Sequence, residues 1–468
     1  MSSGDGQGLA ASTAARYGDA TQTPPEEKIL LDDVPLNFFH CKIAGLTFGA
    51  HLTEGYAIGT IAYALRPFLD QTLGVQAQHR ALWEGLIGSS TLMGIFIGSL
   101  LFGWLSDRVG RQKIFLLSFV IITAAAFAQF YVQVPLMLCL LRVLLGLGMG
   151  GDFAVGHAIL AEFSPRKHRG LLLGSFSVIW TAGYVAANLI GMEYVQHGSS
   201  PDTWRWLLAS AGVPALMVLI LRIGTPESPR WLLGKGRRAE ASAVVKKCFG
   251  RNVMLDTSAR GDDHAPGGFT RLFQRDLIRR TLFNCVFFVC LVIPYFAIYT
   301  FLPDILGVIH LAEGSGADLL LNGLLILGAV VGIWLTVKLP RRVFLIGSFA
   351  VTAAALTALS FLPDSSPTAL VAAFALFTLA LSAVSNLVGV YPPECFPTEV
   401  RASGVGFAIA CSRLGSAVGV FLLPLGMSHF GVQPTMMALA AVLVIGMLAS
   451  IAWAPETRHL RLNEAANA

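Results

Sequence analysis

Glu162-Phe163-Ser164-Pro165-Arg166-Lys167-His168-Arg169 and Glu394-Cys395-Phe396-Pro397-Thr398-Glu399-Val400-Arg401 share the pattern E-x-x-P-x-x-x-R. About half the chain separates them, and a second pair repeats at almost the same offset: Pro226-Glu227-Ser228-Pro229-Arg230 and Pro455-Glu456-Thr457-Arg458. Two coincidental motifs rarely share one offset, so the chain reads as two equivalent halves. Glu227 and Glu456 then mark corresponding ends, and the basic stretch after Glu227 is the connection between the halves.

Within each half the chain is apolar almost throughout. Of the 468 residues, 54% are hydrophobic and 13% charged, against roughly a quarter charged in a soluble domain. Runs of about 20 apolar residues, long enough as helices to cross a hydrocarbon layer of about 30 Å, fall near 40–66, 82–105, 112–133, 135–163, 168–193, 204–223, 281–303, 316–338, 342–362, 367–391, 401–428 and 432–454. The expectation is an all-α integral membrane protein with twelve transmembrane helices in two pseudo-symmetric six-helix bundles. The parts expected are a disordered cytoplasmic tail (1–28), an N-terminal bundle (29–224), a cytoplasmic linker with short helices (225–280), a C-terminal bundle (281–455) and a cytoplasmic tail (456–468).

The net charge of +5 sits mostly in alternate loops: Arg108, Arg111 and Lys113; Arg166, Lys167 and Arg169; Arg341 and Arg342; and the stretch Lys235 to Arg280. The intervening loops at 129–135 and 362–367 carry no Lys or Arg. That bias places both termini in the cytoplasm and the protein in an inner or plasma membrane, with a lipid bilayer rather than nucleic acid as its partner. The polar segment Met1–Pro25 lacks the apolar core of a secretory signal. Seven cysteines, mainly within expected spans, show no metal-ligand spacing and read as reduced packing residues. No nucleophile-and-base pair and no phosphate-binding loop is present, so neither an enzyme nor a cofactor is expected.

The loop Gly103-Trp104-Leu105-Ser106-Asp107-Arg108-Val109-Gly110-Arg111-Gln112-Lys113 resembles the signature of the major facilitator superfamily between helices two and three. The resemblance implies two rocking halves around a substrate site near the membrane midplane, in a functional monomer. It also implies a cytoplasmic gate, assigned to Asp107, Arg108, Arg111, Glu162, Arg169, Glu227, Arg230, Glu394, Arg401 and Glu456. An acid at a helix end can bond backbone donors and nearby arginines as a latch. The second-half loop from Gly332 to Arg342 lacks that acid, which predicts a weaker latch there.

Helix four, Arg142 to Asp152, together with the Pro-Glu-Ser-Pro-Arg and Pro-Glu-Thr ends, resembles sugar porters, phosphate:proton symporters, aromatic acid:proton symporters and organic cation/anion transporters. Arg142 resembles the arginine that braces the bundles in sugar porters, a structural role. Gly150-Gly151-Asp152-Phe153 is similar to the phosphate symporters, where that Asp is linked to proton coupling. Arg401-Ala402-Ser403-Gly404 followed by Ser412-Arg413-Leu414-Gly415 resembles the aromatic acid and organic anion carriers. The two resemblances point to different substrates.

An ionisable group in mid-span costs about 2.5–3.5 kcal/mol on insertion scales, so each calls for a partner or a role. Glu54 on helix one is the first candidate for a proton carrier and Asp152 the second, with His51 tuning Glu54 or binding substrate. The structural alternatives are a packing carboxylate for Glu54, a structural hydrogen bond for His51, and a salt bridge to a buried Arg for Asp152. Arg413 is expected to hold an anionic substrate, because a guanidinium fork matches a carboxylate or phosphate; its alternative is pairing with Asp152 or Glu54. Trp180, Tyr184 and Asn188 on helix five, and Tyr295 and Tyr299 on helix seven, recur every four residues. Such stripes more often pack than bind, yet polar-tipped aromatics suit an organic ligand. The leading expectation is therefore proton-coupled uptake of a small organic anion, such as an aromatic or other carboxylic acid. Proton-driven efflux, phosphate symport and a non-transporting receptor are the rivals.

Overall fold

The computed structural model describes residues 29–72, 77–165, 168, 172, 174–197, 200–250, 253–254, 268–308, 315–362, 367–396 and 400–457. Long helices follow one another through them: α1 (Phe38–Thr72), α2 (Ala77–Val109), α3 (Arg111–Ala128), α4 (Pro135–Phe163), α5 (Phe176–His197) and α6 (Thr203–Arg222). The second set is α7 (Ile278–Thr300), α8 (Ser315–Lys338), α9 (Arg341–Phe361), α10 (Pro367–Val384, resuming as Leu387–Cys395), α11 (Arg401–Phe430) and α12 (Val432–Trp453).

Among the described residues, nine of these helices are long and apolar enough by themselves to cross a membrane, and the two pieces of α10 make a tenth. The remaining two, α1 and α5, are 35 and 22 residues long. They fall short in apolarity because they carry His51, Glu54, Trp180, Tyr184 and Asn188. Helices that bury polar groups against protein read weakly on a scale built for lipid contact.

The packing repeats with a period of six helices. α1 packs on α5 as α7 packs on α11; α2 on α4 as α8 on α10; α3 on α6 as α9 on α12. The seam between halves is equally symmetric, α2 meeting α11 and α8 meeting α5. Glycines set the closest approaches. A Cβ on Gly146 would lie 2.1 Å from the carbonyl oxygen of Thr91, and one on Gly94 2.2 Å from that of Val143, so only bare backbone lets α2 and α4 touch.

The two pieces of α10 meet at 41°. The cause is local: Ser385 Oγ donates to the Ser382 carbonyl at 2.7 Å, and Asn386 Nδ2 to the carbonyls of Ala383 (3.2 Å) and Ala329 (2.9 Å). Side chains that bond the backbone in this way compete with the helical ladder. Pro392 and Pro393 then remove two donors from the next turn.

After α6 the chain forms a short helix, Pro229–Gly234, and a second, Arg238–Phe249, within the stretch 225–280 expected to carry short helices. Strand β1 (Ile29–Leu30) pairs in parallel with β2 (Val253–Met254), Ile29 opposite Val253. Phe249 lies against Phe39 of α1 (ring centroids 5.3 Å) and Phe163 of α4 (6.3 Å), so this connection rests on the first half. The side that carries it is called the linker face below, and the opposite side the far face.

Candidate functional site

α1 reaches the molecular centre because it lies flush on α5. A Cβ on Gly55 would stand 2.0 Å from the Trp180 carbonyl, and one on Gly183 equally close to that of Leu52. This contact places Glu54 at the seam with no exposure to solvent. Neither Glu54 oxygen meets a donor at hydrogen-bond geometry among the described residues, and Asp152, Arg222 and Arg413 are its charged neighbours.

Asp152 has another partner. Arg222, near the end of α6, donates from Nη1 to Asp152 Oδ1 at 2.5 Å and to the Phe115 carbonyl at 2.7 Å, with both side chains fully buried. Its guanidinium also lies 3.4 Å and 4.0 Å from the ring centroids of Phe115 and Phe119. The salt-bridge alternative for Asp152 is thus what is observed. Sequence reasoning missed Arg222, since an arginine two residues before a positive-φ glycine (Gly224) at a helix end looks like a side chain reaching for the interface.

Arg413 of α11 meets neither carboxylate in an ion pair among the described residues. Its guanidinium carbon stands 5.0 Å from the Phe153 ring of α4 and 5.4 Å from the Phe296 ring of α7, one ring from each half. Its Nε is buried and bonds to nothing described, while Glu54 is within electrostatic reach. Desolvated cation–π contacts of this kind contribute on the order of 2 kcal/mol each, less than a buried charge loses on leaving water.

His51 also faces Phe153, with ring centroids 5.4 Å apart, and stacks on Phe176 at 4.0 Å. Beside it, at 5.0 Å, is His157, which the sequence reading did not single out. Each imidazole places Nδ1 against a helical carbonyl, His51 on Thr47 at 3.0 Å and His157 on Phe153 at 2.8 Å. A carbonyl only accepts, so Nδ1 carries a hydrogen in both rings, and in the neutral imidazole Nε2 is then the acceptor.

The aromatic stripes of α5 and α7 meet across the seam. Trp180 lies 6.2 Å from Tyr295 and 5.8 Å from Phe296, and Tyr184 lies 6.1 Å from Tyr299. Tyr184 Oη donates to the Tyr299 carbonyl at 2.6 Å, and Asn188 Nδ2 to Asn322 Oδ1 of α8 at 2.9 Å. Farther out, Tyr63 Oη donates to Asp318 at 3.2 Å, and Arg66 pairs with Asp304 at 3.6 Å. These contacts close the seam on the far face. Toward the linker face, Ser177 Oγ donates to Asn386 Oδ1 at 2.6 Å.

The linker-face residues form two matching networks, each within its own half. Glu227 accepts from the backbone N–H groups of Arg111 (3.0 Å) and Gln112 (3.2 Å) at the start of α3. Glu456 accepts from Arg341 (2.9 Å) and Arg342 (3.1 Å) at the start of α9. Arg111 pairs with Glu162 at 3.1 Å and Asp107 at 3.6 Å, and Arg341 pairs with Glu394 at 3.4 Å. Val337 stands four residues before Arg341 as Asp107 stands four before Arg111, and the Thr336 carbonyl beside it takes an Arg341 N–H instead. Arg108 lies 3.8 Å from the Trp104 ring, and Arg230 is within electrostatic reach of Glu162. Arg169 and the side chain of Arg401 lie outside the described residues. Arg142 is buried in α4 with Nε and Nη1 unpaired among the described residues.

A family profile described as "Sugar (and other) transporter" matches residues 43–468. The inner membrane metabolite transport protein YgcS of Escherichia coli is 52% identical over 439 residues, which cover 94% of this chain and 96% of that protein. Inositol transporter 4 of Arabidopsis thaliana is 30% identical over 207 residues, 44% of this chain and 34% of its own length. Among solved structures, the partially occluded inward-open xylose transporter XylE from E. coli superposes with a TM-score of 0.75 at 17% identity, covering 91% of this chain and all of that one. With the twelve-helix architecture and the profile match over most of its length, the chain belongs to the sugar (and other) transporter family of the major facilitator superfamily, a family of multi-pass membrane transporters and not of enzymes.

Proposed function

We propose that the protein is a proton-coupled symporter of a small organic anion. The observation that carries this reading is Arg413, a buried guanidinium held between Phe153 and Phe296 with no carboxylate bound to it among the described residues, on the seam that two rocking halves must open. Such a fork fits a carboxylate.

Charge balance supplies the coupling. Arg222 and Asp152 neutralise one another. That leaves Arg413 and Glu54 as the second opposite pair, so an incoming anion makes the buried cluster negative, and one proton on Glu54 restores neutrality. A dry site tolerates a neutral set of charges far better than a net one. Glu54 therefore carries the proton, whereas Asp152 holds Arg222 in place. The linker face is cytoplasmic by its arginine and lysine bias, an orientation in which the closed far face looks outward. YgcS is named an inner membrane protein, which supports the same location for this one. The networks of Asp107, Arg111, Glu162 and Glu227, and of Arg341, Glu394 and Glu456, keep each half rigid at its cytoplasmic gate. The protein acts as a monomer without a cofactor.

The test is uptake of labelled anions (benzoate-type acids, nicotinate, short carboxylates, phosphate) into proteoliposomes with and without an inward proton gradient. Gradient-driven uptake of an acid, lost in Glu54→Gln and Arg413→Ala, is expected. Uptake that ignores the gradient, or survives in Arg413→Ala, overturns the reading.

A further inference from the structure

Three polar side chains from three helices surround one aromatic ring. Arg413 of α11 lies 5.0 Å from the Phe153 ring, His51 of α1 lies 5.4 Å from it, and His157, one turn along α4, stacks on it at 5.8 Å. The two imidazoles stand edge to face, 5.0 Å apart, and Phe176 closes the other side of both, at 4.0 Å and 4.5 Å.

Their tautomers are fixed by the backbone, because the Thr47 and Phe153 carbonyls take the Nδ1 hydrogens. Each ring therefore offers Nε2 as an acceptor. His51 is 2% exposed and its Nε2 is buried with no donor within reach among the described residues. The nearest polar neighbours do not repair this. His157 also offers a lone pair, while Arg413 and Arg222 are near enough only for a through-space effect. A buried acceptor without a donor is costly, and the cost is recovered when a ligand supplies the missing hydrogen.

We infer that the site recognises a hydroxylated carboxylate, its carboxylate at Arg413, its carbon body against Phe153, and a hydroxyl donating to Nε2 of His51 or His157. The inference rests on the anion reading above and narrows it: a plain aromatic or aliphatic acid fills the Arg413 end and leaves Nε2 of His51 unpaired. A site built to receive an O–H discriminates strongly against the analogue that lacks it, since the buried acceptor then stays unpaired.

The experiment uses full-length protein purified in detergent and measures binding through intrinsic tryptophan fluorescence and thermal stabilisation. The probes are matched pairs (gluconate and hexanoate, lactate and propionate, 4-hydroxybenzoate and benzoate) together with neutral glucose. At least one hydroxylated acid is expected to bind tenfold or more tightly than its deoxy partner. His157→Phe or His51→Phe should shrink that ratio toward one while the deoxy acid still binds, which also shows that the variant is folded. His157→Gln and His51→Gln, which keep an acceptor oxygen, should restore much of the ratio. Equal binding of both members of every pair overturns the inference and leaves the anion reading standing. So does an equal loss for both members in each Phe variant. Binding of glucose alone, unchanged in Arg413→Ala, overturns both, and binding of none of these compounds overturns the inference for acids of this size.

Discussion

Arg222 of α6 and Asp152 of α4 form a 2.5 Å ion pair from which solvent is wholly excluded, and the Phe115 and Phe119 rings cover the guanidinium. The pair ties two helices of the first half together beneath the seam.

A buried pair is strongly destabilised by loss of one partner, by about 3–5 kcal/mol, but much less by loss of both. Arg222→Leu alone should lower thermal stability in detergent markedly, and Asp152→Asn combined with Arg222→Leu should recover most of the deficit. A double variant as unstable as the summed singles would show that the two side chains act independently.

Glu227 and Glu456 each satisfy two backbone N–H groups at the start of a helix. Each Ala substitution is expected to cost about 1–2 kcal/mol, and Gln, which keeps an acceptor but not the charge, less. Unfolding midpoints of the four variants check this. The matching geometry of the two halves requires the Glu227 and Glu456 effects to be similar in size.

The α2–α4 contact admits no side chain at Gly146, whereas a Cβ on Gly103 would have its nearest neighbour at an ordinary 3.7 Å. Gly146→Ala should therefore cost more than about 2 kcal/mol through forced helix separation. Gly103→Ala should leave folded yield unchanged. Size-exclusion profiles after membrane extraction distinguish them.

Asp304 lies on the short helix Leu302–Val308 beyond the end of α7, facing Arg66 across the seam. Burial pushes its carboxyl up to about 6, Glu84 and Asp70 adding to the shift and Arg66 and Arg80 opposing it. When the far face opens, the group regains water and an ordinary, lower affinity for its proton. The closed form thus binds the proton more tightly, so closure is favoured below about pH 6 and progressively lost as pH rises through it. Spin-label distances between the far-face ends of α2 and α8 should show more open protein at pH 7.5 than at pH 5. Asp304→Asn should reduce that dependence, and an unchanged pH response in this variant would contradict the assignment.

The repeat around Glu162 and Glu394 made the two halves legible, because symmetry leaves the same punctuation twice. Arg413, Glu54 and Asp152 stood out because charge is rare in an apolar span. Arg222 did not, since its partner is 70 residues earlier and its place at a helix end offers an easier explanation. His157 was hidden for a different reason: a histidine declares a role only through what its two nitrogens face, and sequence does not say which way they point. The loop before Arg341 also looked poorer than it is. Counting acids there finds none, yet the Thr336 carbonyl, Glu394 and Glu456 converge on Arg341 from the backbone and from two distant positions.

The short parallel pairing of Ile29–Leu30 with Val253–Met254 has a mechanical meaning. It fastens the segment leading into α1 to the segment that follows the helix Arg238–Phe249, and Phe249 is wedged against α1 and α4 beside it. A pair of two-residue strands thus makes the linker-face helix travel with the first half as one body.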